Sequence, residues 1–334
     1  MKRNKLKDFE IREYKIKDFP KIRELFNISF GRDLSYEYWK WKCIENPMGK
    51  STAFLMFDGD KLIGHYNVDA SILNFRDKNI KAVLSCDTMT HPDYHGLGIF
   101  PHLAKLTYQK VMENDVLLVY GFPNINSHKI FEEKLGWVKF SNLPFIFKDL
   151  TKYNKKKIKN QYLITNIEKF GNEIDNFYEE IKKSPLILRK ISKDILNWRY
   201  NKNSTKKYDK FLIRNKKNRE LLAFFVSKIY NDKFNESSID LVDFFIKSQN
   251  SKQEYNIINA IQDFLINYYN HENSKIMIWM PNKEILKYLF QELKYQYVNV
   301  ETFFGFRFLK KKIYYDHFRK ISNWYLTMAH SDVF

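Results

Sequence analysis

The stretch Leu84-Ser-Cys-Asp-Thr-Met-Thr-His-Pro-Asp-Tyr-His-Gly-Leu-Gly-Ile-Phe-Pro-His-Leu103 decides the fold of this 334-residue chain. An apolar strand pattern runs towards Pro92, and a loop containing Gly96 and Gly98 then opens a helical pattern at Ile99. Such a loop places free backbone N–H groups at the positive end of a helix, where glycine permits a close approach. The stretch therefore predicts a strand, a phosphate-binding loop and a helix, although an ordinary tight turn has the same local pattern.

Glycine is scarce and unevenly distributed in this chain, with 10 residues in all. Only two of them, Gly171 and Gly305, lie beyond residue 136. Close backbone approach to a ligand is therefore expected in the first half. The other eight are Gly31, Gly49, Gly59, Gly64, Gly96, Gly98, Gly121 and Gly136.

Four blocks of sequence recur in the same order at a nearly constant offset, which indicates a duplicated domain. Trp41 and Trp198, each followed by a basic residue, are 157 positions apart. The other paired blocks are residues 58–64 with 217–223, 116–124 with 276–282, and 129–135 with 287–293. Residues 239–246 match the strand before the first-half loop, but residues 247–253 contain no glycine. The second copy is therefore expected to keep the fold and lack the phosphate loop.

The apolar pattern predicts the elements of the repeated unit. It predicts strands at 11–14, 52–57, 61–70, 71–76, 81–88, 116–121 and 138–147, and helices at 19–27, 35–43, 99–112 and 126–135. This order favours an α/β (α+β) class in which a mixed, mostly antiparallel sheet is flanked by helices. The predicted division is a first domain at 1–150, a linker at 151–160 and a second domain at 161–334.

The loop sequence His95-Gly-Leu-Gly-Ile-Phe100 and the downstream element Asn124-Ile-Asn-Ser-His-Lys-Ile-Phe-Glu-Glu-Lys-Leu-Gly-Trp137 resemble the GCN5-related N-acetyltransferase (GNAT) superfamily. The resemblance covers roughly residues 9–148, and the repeat extends it as a degenerate copy. Tandem organisation of this kind is similar to two-lobed GNAT enzymes, including the enhanced-intracellular-survival type and N-acetyltransferases of bacterial surface-polysaccharide loci. His95 and Phe100 differ from the family's usual Arg or Gln and Gly or Ala.

The resemblance implies acetyl-CoA as cosubstrate and a set of residues that hold it. The loop amides would bind the pyrophosphate, residues 88–90 would pair with the pantetheine arm, and a strand-edge N–H near Met89 would stabilise the oxyanion. Phe131 stands where the family often has the tyrosine that protonates the leaving thiolate. The implied cofactor-binding residues are Thr88, Met89, Thr90, His95, Gly96, Leu97, Gly98, Ile99, Phe100, Asn124 and Ser127.

Two catalytic candidates each have a structural role as the alternative. Asp87 lies in an otherwise apolar strand, where a carboxylate serves either as base or acceptor-binding group, or as a structural partner of a nearby Arg or Lys. The chain ends on apolar residues, so the resemblance suggests the carboxylate of Phe334 as the second candidate, with Asp332 and His330 as alternates. Simple packing of the terminal segment is the other interpretation.

Charge and cysteine content exclude several classes of function. The formal net charge of +18 comes from basic residues spread along the whole chain, so dedicated nucleic-acid binding is not expected. Cys43 and Cys86 are too few for a disulfide framework or a usual zinc site, and the histidine spacings fit no standard metal site. Trp39, Trp41 and Trp198 are expected in the core.

The predicted function is transfer of an acetyl group from acetyl-CoA to a small-molecule amine, with an amino sugar as the acceptor suggested by the family. Apolar runs are short and the first ten residues are charged, so no membrane span and no signal peptide are expected, and a cytoplasmic location is predicted. Two alternatives stay open. One is a Fem-type transferase that uses aminoacyl-tRNA, and the other is a non-catalytic module that binds CoA or another ligand.

Overall fold

The computed structural model describes residues 5–150, 161–203, 205–231, 237–248, 250–269, 275–279, 284–298, 302–310 and 314–332. The predicted linker at 151–160 and Phe334 lie outside these residues. In the described chain, no helix is both long and apolar enough to cross a membrane.

The first half of the chain forms the predicted elements within a few residues. Its strands are β1 (Glu10–Glu13), β2 (Thr52–Asp58), β3 (Lys61–Phe75), β4 (Lys78–Thr90), β5 (Leu118–Gly121) and β6 (Val138–Asn142). Its helices are α1 (Phe19–Phe30), α2 (Tyr36–Cys43), α3 (Ile99–Glu113) and α4 (His128–Leu135). The predicted strands at 61–70 and 71–76 are one continuous strand, β3.

The second half repeats this order with shorter or shifted elements. Its helices are α5 (Glu173–Ile181), α6 (Lys193–Asn201), α7 (Ser251–Tyr268), α8 (Glu284–Glu292) and α9 (Tyr315–Phe318). The remaining strands are β7 (Phe145–Asp149), β8 (Tyr162–Asn166), β9 (Leu188–Arg189), β10 (Asp209–Asn215), β11 (Leu221–Asn231), β12 (Ser237–Ile246), β13 (Lys275–Trp279), β14 (Gln296–Val298) and β15 (Phe303–Phe308).

The two halves exchange strands. The first sheet has the order β1-β2-β3-β4-β5-β15-β6, with β9 against β3, and the second has the order β14-β7-β13-β12-β11-β10-β8. Strand β15 from the end of the chain therefore lies between β5 and β6, and β7 from the first half lies between β13 and β14. Each sheet is completed by a strand from the other half of the chain.

This exchange makes one sequence prediction wrong. The single closing strand predicted at 138–147 is two strands, β6 and β7, that belong to different sheets. Leu143 and Pro144 separate them, and Pro144 has no N–H to continue a ladder. The predicted domain boundary at residue 150 stays a prediction about the repeat in the sequence. It does not separate the two sheets, because each sheet contains strands from both sides of it.

A pair of facing glycines lets β15 enter the first sheet. Gly305 pairs with Gly121 of β5, and the Trp137 indole covers both. A Cβ on Gly305 would lie 3.1 Å from the Val138 carbonyl oxygen and 3.2 Å from the Trp137 ring. One on Gly121 would lie 3.3 Å from the same ring. Glycine at both positions therefore leaves room for the indole over the strand junction.

The repeat-related tryptophans meet where the halves join. The Trp41 and Trp198 rings are stacked with centroids 4.9 Å apart at 19°. Trp41 Nε1 donates to the Trp198 carbonyl at 2.8 Å, and Trp198 Nε1 donates to the Trp41 carbonyl at 3.0 Å. Contacts that are equal in both directions are those of a local two-fold axis, as expected of a duplicated domain. The prediction that Trp39, Trp41 and Trp198 lie in the core is confirmed.

Candidate active site

The first sheet opens between β4 and β5. The parallel ladder between these strands ends at Ser85 opposite Gly121, whereas β4 continues to Thr90. On its other edge β4 stays paired with β3 as far as Thr90 opposite Gly64. Residues 86–90 therefore present a strand edge beyond the last contact with β5, where a ligand amide can pair in the manner of a further strand.

A bulge in β4 places Asp87 beside this opening. The register shifts between His65 opposite Met89 and Asn67 opposite Cys86, so β4 has one residue more than β3 there. Asp87 has a φ of +45°, in the left-handed region. His65 Nδ1 lies 2.7 Å from the Asp87 carbonyl oxygen and supports the bulged backbone. A bulge of this kind turns a side chain out of the regular alternation of the strand.

The predicted phosphate loop is open at the N-terminus of α3. Gly96 and Gly98 have φ values of +79° and +82°, which favour glycine, and a Cβ on either would have no atom within 4 Å. Gly98 is the N-cap residue of α3, and no side chain caps this helix. The N–H groups of Ile99 and Phe100 at the start of the helix therefore have no side-chain cap, which suits an anion.

The predicted loop residues have distinct structural roles. His95 Nε2 lies 2.9 Å from the Thr90 carbonyl oxygen, which ties the loop to the end of β4. Ile99 is buried beneath Gly64, where a Cβ would lie 2.3 Å from Ile99 Cγ2. Leu97 packs against the apolar cluster that contains Ile99. The side chains at 97 and 99 therefore anchor the loop, while the backbone between 96 and 98 remains exposed to a ligand.

Phe100 and Phe131, two of the three departures from the family pattern, both point into the core. Phe100 stacks on Tyr66 with centroids 5.7 Å apart and meets Phe131 edge-on at 5.0 Å. Phe131 is 5% exposed and also packs on Trp137. Phe100 thus leaves the loop geometry intact, and Phe131 contributes packing but no hydroxyl group.

The remaining predicted cofactor residues flank the opening. Thr88 and Thr90 are half-buried on the edge of β4, and the Met89 side chain is buried below. Asn124 is exposed after β5, and its Oδ1 accepts from the Ser127 N–H at 3.2 Å and the Ser127 hydroxyl at 3.1 Å. The two residues together order the turn into α4, and the Asn124 amide nitrogen remains as a donor.

A buried lysine that the sequence analysis did not predict, Lys42, holds together several carboxylates beside the opening between β4 and β5. Lys42 Nζ, 4% exposed, lies 2.8 Å from Asp87 Oδ2, 2.8 Å from Asp332 Oδ2 and 3.8 Å from Asp69 Oδ2. These four side chains are called the Lys42 cluster below. Asp332 of the C-terminal segment thereby lies next to Asp87. Asp332, which the sequence analysis gave as an alternate to Phe334 as a catalytic candidate, is therefore part of the candidate site. The repeat was the signal in the sequence that could have pointed to Lys42, since Lys42 follows Trp41 as Arg199 follows Trp198.

The charges of the Lys42 cluster stabilise one another. Burial lowers the pKa of Lys42, but Asp332 and Asp87 outweigh it and raise that pKa well above its usual value. Burial likewise raises the pKa of Asp332, but Lys42 outweighs it and lowers that pKa. Asp69 has a raised pKa because of burial, although Ser51 and Asn67 donate to its Oδ1. Within the described chain, Oδ1 of Asp87 accepts no hydrogen bond, so it is the atom left for a ligand.

Among its described residues, the second lobe has no equivalent of the open loop. Helix α7 begins after Asn250, whose side chain accepts from the Gln253 N–H at 2.9 Å and so occupies the helix end. This agrees with the absence of glycine at residues 247–253. Among the described residues no group of three or more His, Cys, Asp or Glu side chains is arranged to hold a metal ion. Cys43 and Cys86 are free, buried thiols, as predicted.

Known proteins resemble this chain in one domain and in fold. Residues 10–139 match the family model described as an acetyltransferase (GNAT) domain. No curated protein matches the sequence.

Solved structures match over nearly the whole chain. A probable N-acyltransferase from Enterococcus faecalis V583 superposes with a TM-score of 0.69 at 12% identity, covering 90% of this chain and 73% of that one. A tandem GNAT protein from the clavulanic acid biosynthesis pathway gives a TM-score of 0.60 at 8% identity, covering 91% and 99%. Saccharomyces cerevisiae N-myristoyltransferase with bound myristoyl-CoA gives 0.58 at 12% identity, covering 90% and 78%. The predicted fold class and the two-lobed resemblance are confirmed.

Proposed function

We propose that this protein, a tandem GNAT protein, is an acetyl-CoA-dependent N-acetyltransferase that acts on a small-molecule amine. The domain match and the fold support acyl-CoA-dependent N-acyl transfer in general. The identity of the acyl group and of the acceptor is our proposal. It includes the expectation that the acceptor is an amino sugar of surface-polysaccharide synthesis, modified in the cytoplasm.

One observation supports the proposal above the others: an open strand edge and an uncapped glycine loop lie at the two ends of one path. The edge at residues 86–90 begins where β4 leaves β5, and the loop at residues 95–98 follows directly. An extended pantetheine arm suits the edge, and a pyrophosphate suits the loop. Asp87 lies at the inner end of this path, where a thioester carbonyl would be held.

The proposed reaction is direct transfer, and each group of the site has a role in it. Thr88 and Thr90 offer backbone groups to the pantetheine amides, and a strand-edge N–H near Met89 stabilises the oxyanion. Asp87 Oδ1 receives the ammonium group of the acceptor and takes the proton that it loses. Lys42 holds Asp87 through Oδ2, which orients the carboxylate.

The leaving thiolate must obtain its proton elsewhere than from residue 131. Phe131 is buried among Phe100 and Trp137 and carries no proton donor. The CoA thiolate takes its proton from solvent or from Asp87, which holds the proton that the acceptor's ammonium group has lost. We place no separate general acid in this site.

The test is CoA release from acetyl-CoA in the presence of a panel of primary amines, followed by a thiol reagent. The Asp87→Asn variant should lose at least about 100-fold in kcat, the low end for a general base, with unchanged affinity for acetyl-CoA. Asp115→Asn, which alters an exposed aspartate paired with Lys310, is the matched control and should keep full activity. Full kcat in Asp87→Asn would refute the role of Asp87, and acetyl-CoA binding without turnover of any amine would favour a non-catalytic module.

A further inference from the structure

A cavity of about 50 Å³ lies between the two lobes and adjoins the Lys42 cluster. Lys42, Asp69 and Asp332 form part of its wall, and Lys42 Nζ, which bonds Asp87 Oδ2 at 2.8 Å, connects this wall to Asp87. The stacked pair Trp41 and Trp198 forms another part. Its size admits a few water molecules or one small polar group of a ligand, not a whole substrate. An acceptor whose amine lies at Asp87 would therefore place only one such group in this space, past Lys42.

Among the buried donors of the cavity wall, two have no hydrogen-bond partner in the described part of the chain and belong to residues whose other contacts are all known. They are Nε of Arg189, a residue 4% exposed, and Nε2 of His330, a residue 2% exposed. A buried donor left without a partner costs about 1–3 kcal/mol. Two such donors facing one cavity point to a ligand that accepts hydrogen bonds there.

The neighbours of Arg189 leave its Nε free for such a ligand. Its Nη2 donates to Asp243 Oδ2 at 2.5 Å, and Tyr200 donates to the same oxygen at 2.8 Å. Asp243 Oδ1 accepts from the Thr327 hydroxyl at 2.9 Å. Asp243 is thus engaged through both oxygens, and it holds the guanidinium without reaching Nε.

The Thr327 N–H lies 3.1 Å from His330 Nδ1, and the Thr327 carbonyl oxygen lies 3.3 Å from the same atom. In the neutral tautomer whose Nδ1 accepts the shorter of these bonds, the ring proton lies on Nε2 and can be donated to a ligand. Burial, followed by the charge of Arg189, lowers the pKa of His330 well below its usual value, which keeps the ring neutral. Arg189 and His330 therefore both present N–H groups to the cavity, whose wall is connected to Asp87 through Lys42.

We propose that this cavity binds the carboxylate of the acceptor, so that the substrate is a small primary amine that also carries a carboxylate. Free amino acids and carboxylated amino sugars share this chemistry. The inference rests on the proposed function, because it names the substrate class of that site. In the reaction the amine nitrogen forms the amide bond, the C–S bond of acetyl-CoA breaks, one proton goes to the CoA thiolate and one is released.

The test compares matched amines that differ only in the carboxylate. Amino acids are measured against their carboxamides, and glucosamine against its 6-carboxylate, which separates the two substrate sources. CoA release gives kcat/KM, and calorimetry on protein loaded with desulfo-CoA gives the affinity of each amine independently of turnover. We expect the carboxylated member of at least one pair to bind at least tenfold more tightly.

Two variants ask whether the named donors are responsible. Arg189→Lys keeps the positive charge beside Asp243 but removes the Nε–H, and His330→Phe removes the other donor. Each should reduce the preference for the carboxylated amine about tenfold, mainly through KM, with unchanged affinity for acetyl-CoA. Tyr325→Phe alters the same C-terminal segment at a hydroxyl that donates to the Phe244 carbonyl and does not line the cavity. It should keep the preference.

The outcomes separate the inference from the proposed function. Equal binding of carboxylated and amidated amines, or binding of no carboxylated amine to the desulfo-CoA complex, overturns the inference. Turnover of uncharged amines would then leave the proposed function standing. A preference that persists in both variants would also overturn the assignment to Arg189 and His330. Carboxylate-dependent binding without CoA release would support the cavity and contradict the enzyme.

Discussion

Lys42 joins three carboxylates that come from distant parts of the chain. Asp69 lies on β3, Asp87 on β4 and Asp332 in the C-terminal segment, and Lys42 Nζ is within 3.8 Å of each. A buried lysine of this kind is tolerated only because its charge is compensated. The cluster therefore fixes the C-terminal segment against the first lobe and shapes the wall opposite the opening of the sheet.

His330 makes the stability of the protein depend on pH. Because its pKa in the folded state lies well below 6.5, the unfolded chain binds a proton first as the pH falls. The titration of His330 therefore leaves the free energy of unfolding unchanged above pH 6.5. Below pH 6.5 it lowers this free energy by at most about 1.4 kcal/mol for each pH unit. His65, whose pKa is also lowered by burial, acts in the same direction.

The measurement is urea unfolding between pH 7.5 and 5. In His330→Gln the free energy of unfolding should fall less steeply below pH 6.5 than in the wild type. Tyr325→Phe should lower stability by a constant amount without changing the slope, since it removes no group that titrates there. Equal slopes in the wild type and His330→Gln would show that His330 is not buried in its neutral form.

At the level of single residues, the sequence pointed to the groups of the proposed site that carry a local signal and missed those that do not. Gly96, Gly98 and Asp87 were predictable because a loop motif and a carboxylate in an apolar strand are local signals. Lys42 and Arg189 were not, since their partners lie 45 and 54 residues away in the chain. Their roles depend on packing of the two lobes. Phe334 stays a prediction, because it lies outside the described residues.

At the level of elements, the exchange of β7 and β15 makes the two halves depend on one another. Residues 1–150 alone lack β15, so β5 and β6 lose the strand that joins them. We expect residues 1–150 to be insoluble or unfolded when expressed alone. Co-expression with residues 151–334 as a separate chain should restore a soluble complex that co-purifies on a tag carried by one half.

Circular dichroism and size exclusion check this expectation. A folded, monomeric 1–150 fragment that binds acetyl-CoA would contradict the role of β15. Intact chain treated in the same way is the control.

The elements themselves were largely predictable, and their pairing was not. Helix α3 spans Ile99–Glu113 against a prediction of 99–112, because apolar residues recur there at helical spacing. Strands β6 and β7 were joined in the prediction because both are apolar and only Leu143 and Pro144 separate them. Which sheet a strand enters depends on contacts more than a hundred residues away, such as Gly305 with Gly121.

At the level of the whole molecule, duplication has left two lobes with different helix ends. Asn250 caps α7 with its own side chain, whereas Gly98 leaves the N-terminus of α3 open. The uneven distribution of glycine in the sequence corresponds to this difference. The lobes still share the local two-fold contact of Trp41 with Trp198. We therefore propose one cofactor site per chain, with the second lobe supplying Arg189 and His330 to the cavity.

The most direct test of this account is calorimetric titration of acetyl-CoA into the wild type, Gly98→Asp and Gly31→Asp. Both glycines have a positive φ, and a Cβ added at either would meet no atom within 4 Å, so each substitution adds similar backbone strain and one negative charge. We predict one acetyl-CoA per wild-type chain, affinity at least tenfold weaker in Gly98→Asp, and unchanged affinity in Gly31→Asp. No binding by the wild type, or equal affinity in Gly98→Asp, would contradict the central claim that this loop holds the cofactor.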